Sequence, residues 1–163
     1  MSGWFVVSAR EAEWHDAGSF GCYCAFEGES RFEQLGINLN VLQPGQSNGL
    51  YHREGAQEDF LVLSGECLLL IEGEQRLLRA WDFVHSPPGT DHILVGAGDG
   101  PCVFLAVGAR PSDFVVYPVS DVARRHGVGV AREATSPDEA YAPYPTSPRG
   151  TPTRYREGWL PDL

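Results

Sequence analysis

No run of Lys and Arg occurs in the sequence. Of its 163 residues, 22 are Asp or Glu and 12 are Lys or Arg, for a formal charge of −10. Tight binding to a phosphate backbone or an anionic membrane draws on clustered positive charge, so neither nucleic acid nor membrane is expected as a partner. Long apolar runs are missing as well. The longest, such as Val103 to Val107, fall far below a bilayer span. The Met1-Ser2-Gly3-Trp4 start lacks the basic-then-apolar pattern of a secretory signal, and a cytoplasmic location is the expectation. No CxxC spacing marks a zinc knuckle or redox pair among the four cysteines at 22, 24, 67 and 102. Cys22 and Cys24 would share one face of a strand, too close for an easy mutual bridge, so free and mostly buried thiols in a reducing compartment are expected. No helix-length segments separate the apolar runs, which disfavours a parallel α/β fold, and there is no internal repeat.

What is present suffices for one ordered domain. Apolar residues make up 42% of the chain and aromatics 11%, enough to offset ordering entropy without covalent staples. Glycines (19) and prolines (12) punctuate short apolar runs. Ser19 to Phe26 and Gly36 to Leu42 read as strands, the second stopped at Pro44-Gly45. Phe60 to Leu63 follows, then Cys67 to Ile71, a tight turn at Glu72-Gly73-Glu74 and a return through Leu77 to Ala80. Phe83 to His85, a Pro87-Pro88-Gly89 turn, His92 to Val95, and Cys102 to Val107 complete the series. Short strands at nearly even spacing with turn chemistry between them indicate an all-β sandwich or barrel.

Helical signals lie at the ends. Ala9 to Trp14 reads as a short helical turn, and Val119 to His126 as another, closed by Gly127. Ser136-Pro137-Asp138-Glu139 carries a capping box with proline at the first helical position, opening a helix through Ala142. Beyond it the chain is rich in Pro, Ser, Thr and Tyr, and it reads either as a flexible tail or as an extended arm. In the second case Tyr141, Tyr144, Tyr155 and Trp159 would anchor it on the barrel or on a neighbouring subunit.

The most informative stretch runs from Tyr51 to Gly65. Strand alternation places His52 and Glu54 on one face, and Glu58 on the same face as Phe60 and Val62. A carboxylate alternating with Phe60 and Val62 points inward, where an unpaired charge costs on the order of several kcal/mol, so Glu58 needs a cation, a proton or a donor. His92 opens a strand directly after the Pro-Pro-Gly turn.

These segments resemble the two motifs of the cupins, G-x5-H-x-H-x3/4-E-x6-G and G-x5-P-x-G-x2-H-x3-N. His52, Glu54, Glu58 and Gly65 keep the spacing of the first motif; Pro87, Gly89 and His92 keep that of the second. The fifteen residues from Glu66 to Ala80 fit the two-strand connection between motifs. The sequence departs from the pattern in four places. Glu54 stands where cupins most often have a second histidine, Gly45 precedes His52 one residue early, Trp81 replaces the opening glycine of the second motif, and Gly96 replaces its closing asparagine.

The resemblance implies an all-β cupin fold, a double-stranded β-helix or jelly-roll barrel, with short helices and an extended C-terminal arm. It sets an N-terminal extension at 1–35, the barrel at 36–108 and a C-terminal strand, short helices and Pro-rich arm at 109–163. It also implies one divalent cation (Mn, Fe or Zn) held by His52, Glu58 and His92. Glu54 would be a fourth ligand, a nearby base for catalysis, or a solvated charge. Phe60, Val62, Leu94 and Phe104 would form an apolar wall and Tyr51 the pocket mouth. His85 would lie beside the site or serve as a core imidazole. His15 and His126 read as surface residues, and Arg53 and Asp59 as outward-facing. The function implied is binding or transformation of a small polar metabolite at the metal, by isomerase, lyase or oxygenase chemistry. The alternative is a non-enzymatic ligand-binding or sensor protein, with or without metal. A homodimer is the expected assembly, and two pocket carboxylates should disfavour highly anionic ligands unless a cation offsets them.

Overall fold

The computed structural model describes residues 3–28, 30–110, 112–145 and 147–162. In chain order the strands are β1 (Trp14–Asp16), β2 (Cys22–Ala25), β3 (Leu35–Leu42), β4 (Arg53–Glu54), β5 (Glu58–Ser64), β6 (Glu66–Ile71), β7 (Glu74–Arg79), β8 (Phe83–Ser86), β9 (His92–Ala97), β10 (Cys102–Ala109), β11 (Val115–Val116) and β12 (Thr151–Thr153). Two short helices, α1 (Asp121–Arg125) and α2 (Pro137–Tyr141), lie between the last two strands. A seven-stranded antiparallel sheet runs β12-β1-β2-β3-β10-β5-β8, and a three-stranded sheet runs β7-β6-β9; β4 and β11 pair separately.

Alternation along the strands creates the core. Leu42, Phe60, Val62, Val84, Cys102 and Phe104 of the large sheet meet Cys67, Leu69, Leu78 and Leu94 of the small one. Cys67, Leu94, Cys102 and Phe104 are fully buried, and all four cysteines are free thiols. Gly65, with φ of 73°, turns β5 into β6 where a Cβ would lie 2.2 Å from the Pro101 carbonyl oxygen, so no other residue fits. Glu72 and Gly73, both with positive φ, form the two-residue turn that joins β6 to β7. At Gly96 a Cβ would approach the Gln43 carbonyl oxygen to 2.2 Å, which accounts for glycine where the motif closes with asparagine.

The ends depart from expectation in their details. The strand expected from Ser19 starts only at Cys22, because Gly18–Phe20 form a 3-10 turn ended by Gly21 at φ of 74°. The helical turn expected over Ala9 to Trp14 stops at Ala12, since Trp14 is drawn into β1 by pairing with Cys24 and Thr153. Ser120 caps α1, Ser136 caps α2 by accepting from the Glu139 amide, and Gly127 follows α1 at positive φ. The C-terminal segment packs back on the sandwich. Its β12 adds to β1, Tyr155 and Trp159 pack on Trp14 at ring separations of 6.1 and 5.0 Å, and Tyr141 and Tyr144 close on Phe20 at 5.1 and 5.3 Å. Of the two readings of this segment, the structure has the anchored arm.

Trp81 has φ of 76° and is 75% exposed. It occupies a left-handed position that costs a residue with a Cβ roughly 1–2 kcal/mol, and it does so where the cupin pattern has glycine. Replacing Trp81 by Gly should stabilise the protein by about 0.5–1 kcal/mol once the extra freedom of glycine in the unfolded chain is deducted. The gain should read as a rise in midpoint of about 1–4 °C in thermal unfolding, with Trp81→Ala showing none of it.

Candidate metal centre

The site is assembled by one reciprocal pair of backbone hydrogen bonds. The His52 amide donates to the His92 carbonyl at 3.2 Å, and the His92 amide donates to the His52 carbonyl at 2.8 Å. Directly opposed residues of an antiparallel pair present their side chains on one face. The two imidazoles therefore stand side by side, with ring centroids 5.1 Å apart, although 40 positions separate them in the chain. Glu58, the first residue of β5, reaches the same point from the large sheet. Its Oε2 lies 3.0 Å from His92 Nε2 and 3.6 Å from His52 Nε2.

Both rings are held in one tautomer. The Nδ1 of His52 donates to the Leu50 carbonyl at 2.7 Å and that of His92 to the Thr90 carbonyl at 2.9 Å. A carbonyl oxygen only accepts, so each Nδ1 carries a proton and each neutral ring turns a lone pair at Nε2 toward the same carboxylate. Lone pairs facing a carboxylate repel unless a cation or extra protons intervene. The charge is largely shielded from water: His92 is 2% exposed, His52 14% and Glu58 20%.

Without metal, protons resolve the conflict. Burial opposes charge on His52, but the carboxylates of Glu54 and Glu58, 3.5 and 3.6 Å away, prevail and lift its pKa to about 10. Burial opposes charge on Glu58 as well, yet the hydrogen bond with His92 and the nearby charge of His52 hold it well below the usual carboxylate range. A divalent cation resolves the conflict equally well. The three donor atoms lie within 4.8 Å of one another, close to the roughly 3–4 Å spread of ligands each some 2 Å from a central ion. Two imidazoles and a carboxylate suit Mn, Fe or Zn. Beside them, the inward hydroxyl of Ser86, the register partner of Glu58, is buried without a hydrogen-bond partner among the described residues.

Glu54 sits at the edge of this cluster. Its Oε1 is 3.5 Å from His52 Nε2, and its side chain is 37% exposed. It lines a cavity of about 490 Å³ that also exposes Glu58, Asn38, Ala106, Gly108 and Tyr117. Tyr117 packs at a tilt 5.8 Å from His52 and meets the ring of Tyr141 of α2 edge-on at 5.8 Å. The Tyr141 hydroxyl accepts from the Leu50 amide at 2.9 Å, and so steadies the residue whose carbonyl orients His52.

Other residues singled out in the sequence fall elsewhere. Phe60 packs against His92 at 5.4 Å and, with Val62, Leu94 and Phe104, forms the core beneath the site rather than the cavity walls. Tyr51 is turned the other way, into a cluster with Leu70, Ile93 and Val122, and its hydroxyl accepts from the Gly73 amide. It cannot line the pocket mouth, because its strand neighbour His52 takes the inner face. His85 points outward between the inward Val84 and Ser86, and its Nδ1 pairs with Asp59 Oδ1 at 2.7 Å, so it is neither core nor beside the site. Asp59 is outward as expected, and Arg53 faces Asp91 at 3.5 Å. His15 stacks on Tyr23, and His126 meets Gln75. Asn38, Ala106 and Gly108 share the inward face of β3 and β10, which strand alternation could have shown. Tyr117 had no such signal.

Residues 38–108 match the cupin domain family and are a cupin domain. The two facing sheets have the cupin jelly-roll fold. No curated protein matches the chain significantly. Among solved structures, a protein of Acidithiobacillus ferrooxidans provisionally assigned as a sugar phosphate isomerase is 27% identical, with a TM-score of 0.51. The match covers 60% of this chain and 64% of that one, so the chain spans less than two thirds of its length. A cupin protein of Bacteroides fragilis (21% identical, TM-score 0.55, 68% and 87% covered) supports the fold alone. So does a Cupin 2 conserved barrel domain protein of Salinispora arenicola (22%, 0.52, 60% and 82%).

The proton linkage gives a signed expectation. The stabilisation from His52 is complete below its unfolded pKa near 6.5 and is lost as pH rises toward about 10; that from Glu58 is present above about 4.3 and lost as pH falls. Chelator-stripped protein should therefore melt lower at pH 8 than at pH 6 in calorimetry. Because metal and proton compete for Nε2, added Mn²⁺ should raise the midpoint more at pH 8 than at pH 6.

Proposed function

We propose that the protein binds one divalent cation through His52, Glu58 and His92 and uses it to bind and transform a small polar metabolite in the adjoining cavity. The observation that carries this reading is the pair of committed Nδ1 protons, which aims two Nε2 lone pairs at a single carboxylate. A bound divalent cation supplies Lewis acidity toward a hydroxyl, carboxylate or carbonyl group. The chain's own contribution is then a proton acceptor at the right place. Among the described residues Glu54 is the one carboxylate that both faces the cavity and approaches the cluster through a single histidine. Its partial exposure lets it take a proton from a bound hydroxyl or an adjacent carbon and return it. That role fits isomerase or lyase chemistry, and the 27% identical structure provisionally assigned as a sugar phosphate isomerase supports it. The packed core of Phe60, Val62, Leu94 and Phe104 keeps water from reaching the ligands from below.

One observation favours a sensor that binds without turnover. Glu54 replaces the usual histidine and stands outside the tight three-atom cluster.

Elemental analysis of protein purified without chelator should find about one Mn, Fe or Zn per chain. His92→Ala should weaken that binding by more than the 10–100-fold typical of changes to groups that merely support a ligand, with the β signature of circular dichroism retained. Full occupancy in that variant would overturn the site. In a turnover screen of sugars, their phosphates and hydroxy acids with metal restored, Glu54→Gln should keep its metal and lose rate by about 10²–10⁴-fold. Metal loss in that variant would instead make Glu54 a ligand, and absence of any turnover in the parent protein would favour the sensor.

A further inference from the structure

The cavity in front of the metal centre contains arginines, in a protein whose acidic residues outnumber its basic ones 22 to 12. Arg31 enters from the connection between β2 and β3, Arg110 from just beyond β10, and Arg149 from the arm after α2. Three segments distant in the chain thus bring arginines to line one volume of about 490 Å³, a size suited to a small metabolite.

Arg110 is a fixed part of this wall. It donates to the Phe32 carbonyl at 2.6 Å and pairs with Glu27, and its guanidinium lies over Gly36. A Cβ at Gly36 would come within 3.0 Å of that guanidinium, so the glycine leaves room for it on the inner face of β3. Arg31 and Arg149 differ. Among the described residues neither has a carboxylate within ion-pair distance. The Arg149 main chain is nevertheless secured, its amide donating to Ser147 Oγ and its carbonyl accepting from the Tyr23 hydroxyl at 2.9 Å.

Charge arithmetic decides which ligand suits the space. Among the described residues three carboxylates line the cavity (Glu54, Glu58 and Asp113), and Glu27 stands behind Arg110. Four negative charges against three guanidinium groups and one divalent cation leave one positive charge. The pocket carboxylates disfavour highly anionic ligands unless a cation offsets them; with metal in place the local balance meets that condition.

We infer that the metabolite carries an oxyanion, carboxylate or phosphate, bound by Arg149 and Arg31 at the cavity mouth, while its hydroxyl or carbonyl end faces Glu54 and the metal. This rests on the metal-site reading above, and it specifies the substrate class that reading leaves open. Guanidinium groups favour such anions because their planar N–H pairs match two oxygens at once.

The test uses full-length protein, loaded with Mn²⁺ or stripped by chelator, titrated calorimetrically with glycerol 3-phosphate, glycerate and glycerol, with metal content measured separately. At least one of the two anions should bind the loaded protein about tenfold or more tightly than glycerol, and which one does so distinguishes phosphate from carboxylate. Arg149→Gln and Arg31→Gln should each weaken that anion about tenfold, leave glycerol and metal content unchanged, and recover in part in Arg149→Lys. Equal binding of all three probes, or anion binding untouched by both Gln variants, would overturn the inference. Protein that takes up no metal yet binds the anion through these arginines would overturn the metal reading and leave the anion site standing.

Discussion

A carboxylate enclosed between two imidazoles that cannot shift their protons is the constraint on which the rest of this structure depends. His52 and His92 are locked to each other through the backbone, and each Nδ1 is committed to a carbonyl two residues back. What remains is a fixed demand for positive charge where Glu58 Oε2 faces the two Nε2 atoms at 3.0 and 3.6 Å. The large sheet supplies the carboxylate, and the strand bearing His92 belongs to the small one, so the centre forms only when the two sheets close over their shared core. Folding and site assembly are one event.

Much of this was legible in the sequence, for a definite reason. Strand alternation is a strict period of two, so Glu58 among Phe60 and Val62 had to point inward, and the same logic separated outward Asp59 from its neighbours. Turn residues marked the strand ends, and the paired spacings around His52 and His92 identified the cupin pattern. The failures have an equally definite cause. Tyr51 was placed at the pocket mouth although it adjoins His52, and adjacent residues in a strand face opposite sides, so the alternation that placed Glu58 correctly should have sent it away from the cavity. His85 shares its face with Phe83, an apolar residue that the structure leaves exposed, so alternation alone gave no warning there.

The residues around the cavity were harder to find because they belong to no local pattern. Arg31, Tyr117 and Arg149 come together only through the course of the connections and the arm. The arm is more than a cover, since Tyr141 of α2 reaches Leu50 and, through its carbonyl, the ring of His52. The short helix that leads into the arm thus helps to orient His52 at the centre of the fold.

The strand that ends the large sheet has a bearing on solubility. Open sheet margins offer unpaired amides to any stray extended chain, and they invite ribbon-like growth from molecule to molecule. Here that margin is Thr151-Pro152-Thr153. It is only three residues long, and its central imino acid has no N–H to offer, so the lateral hydrogen-bonding series stops at this edge of the sheet.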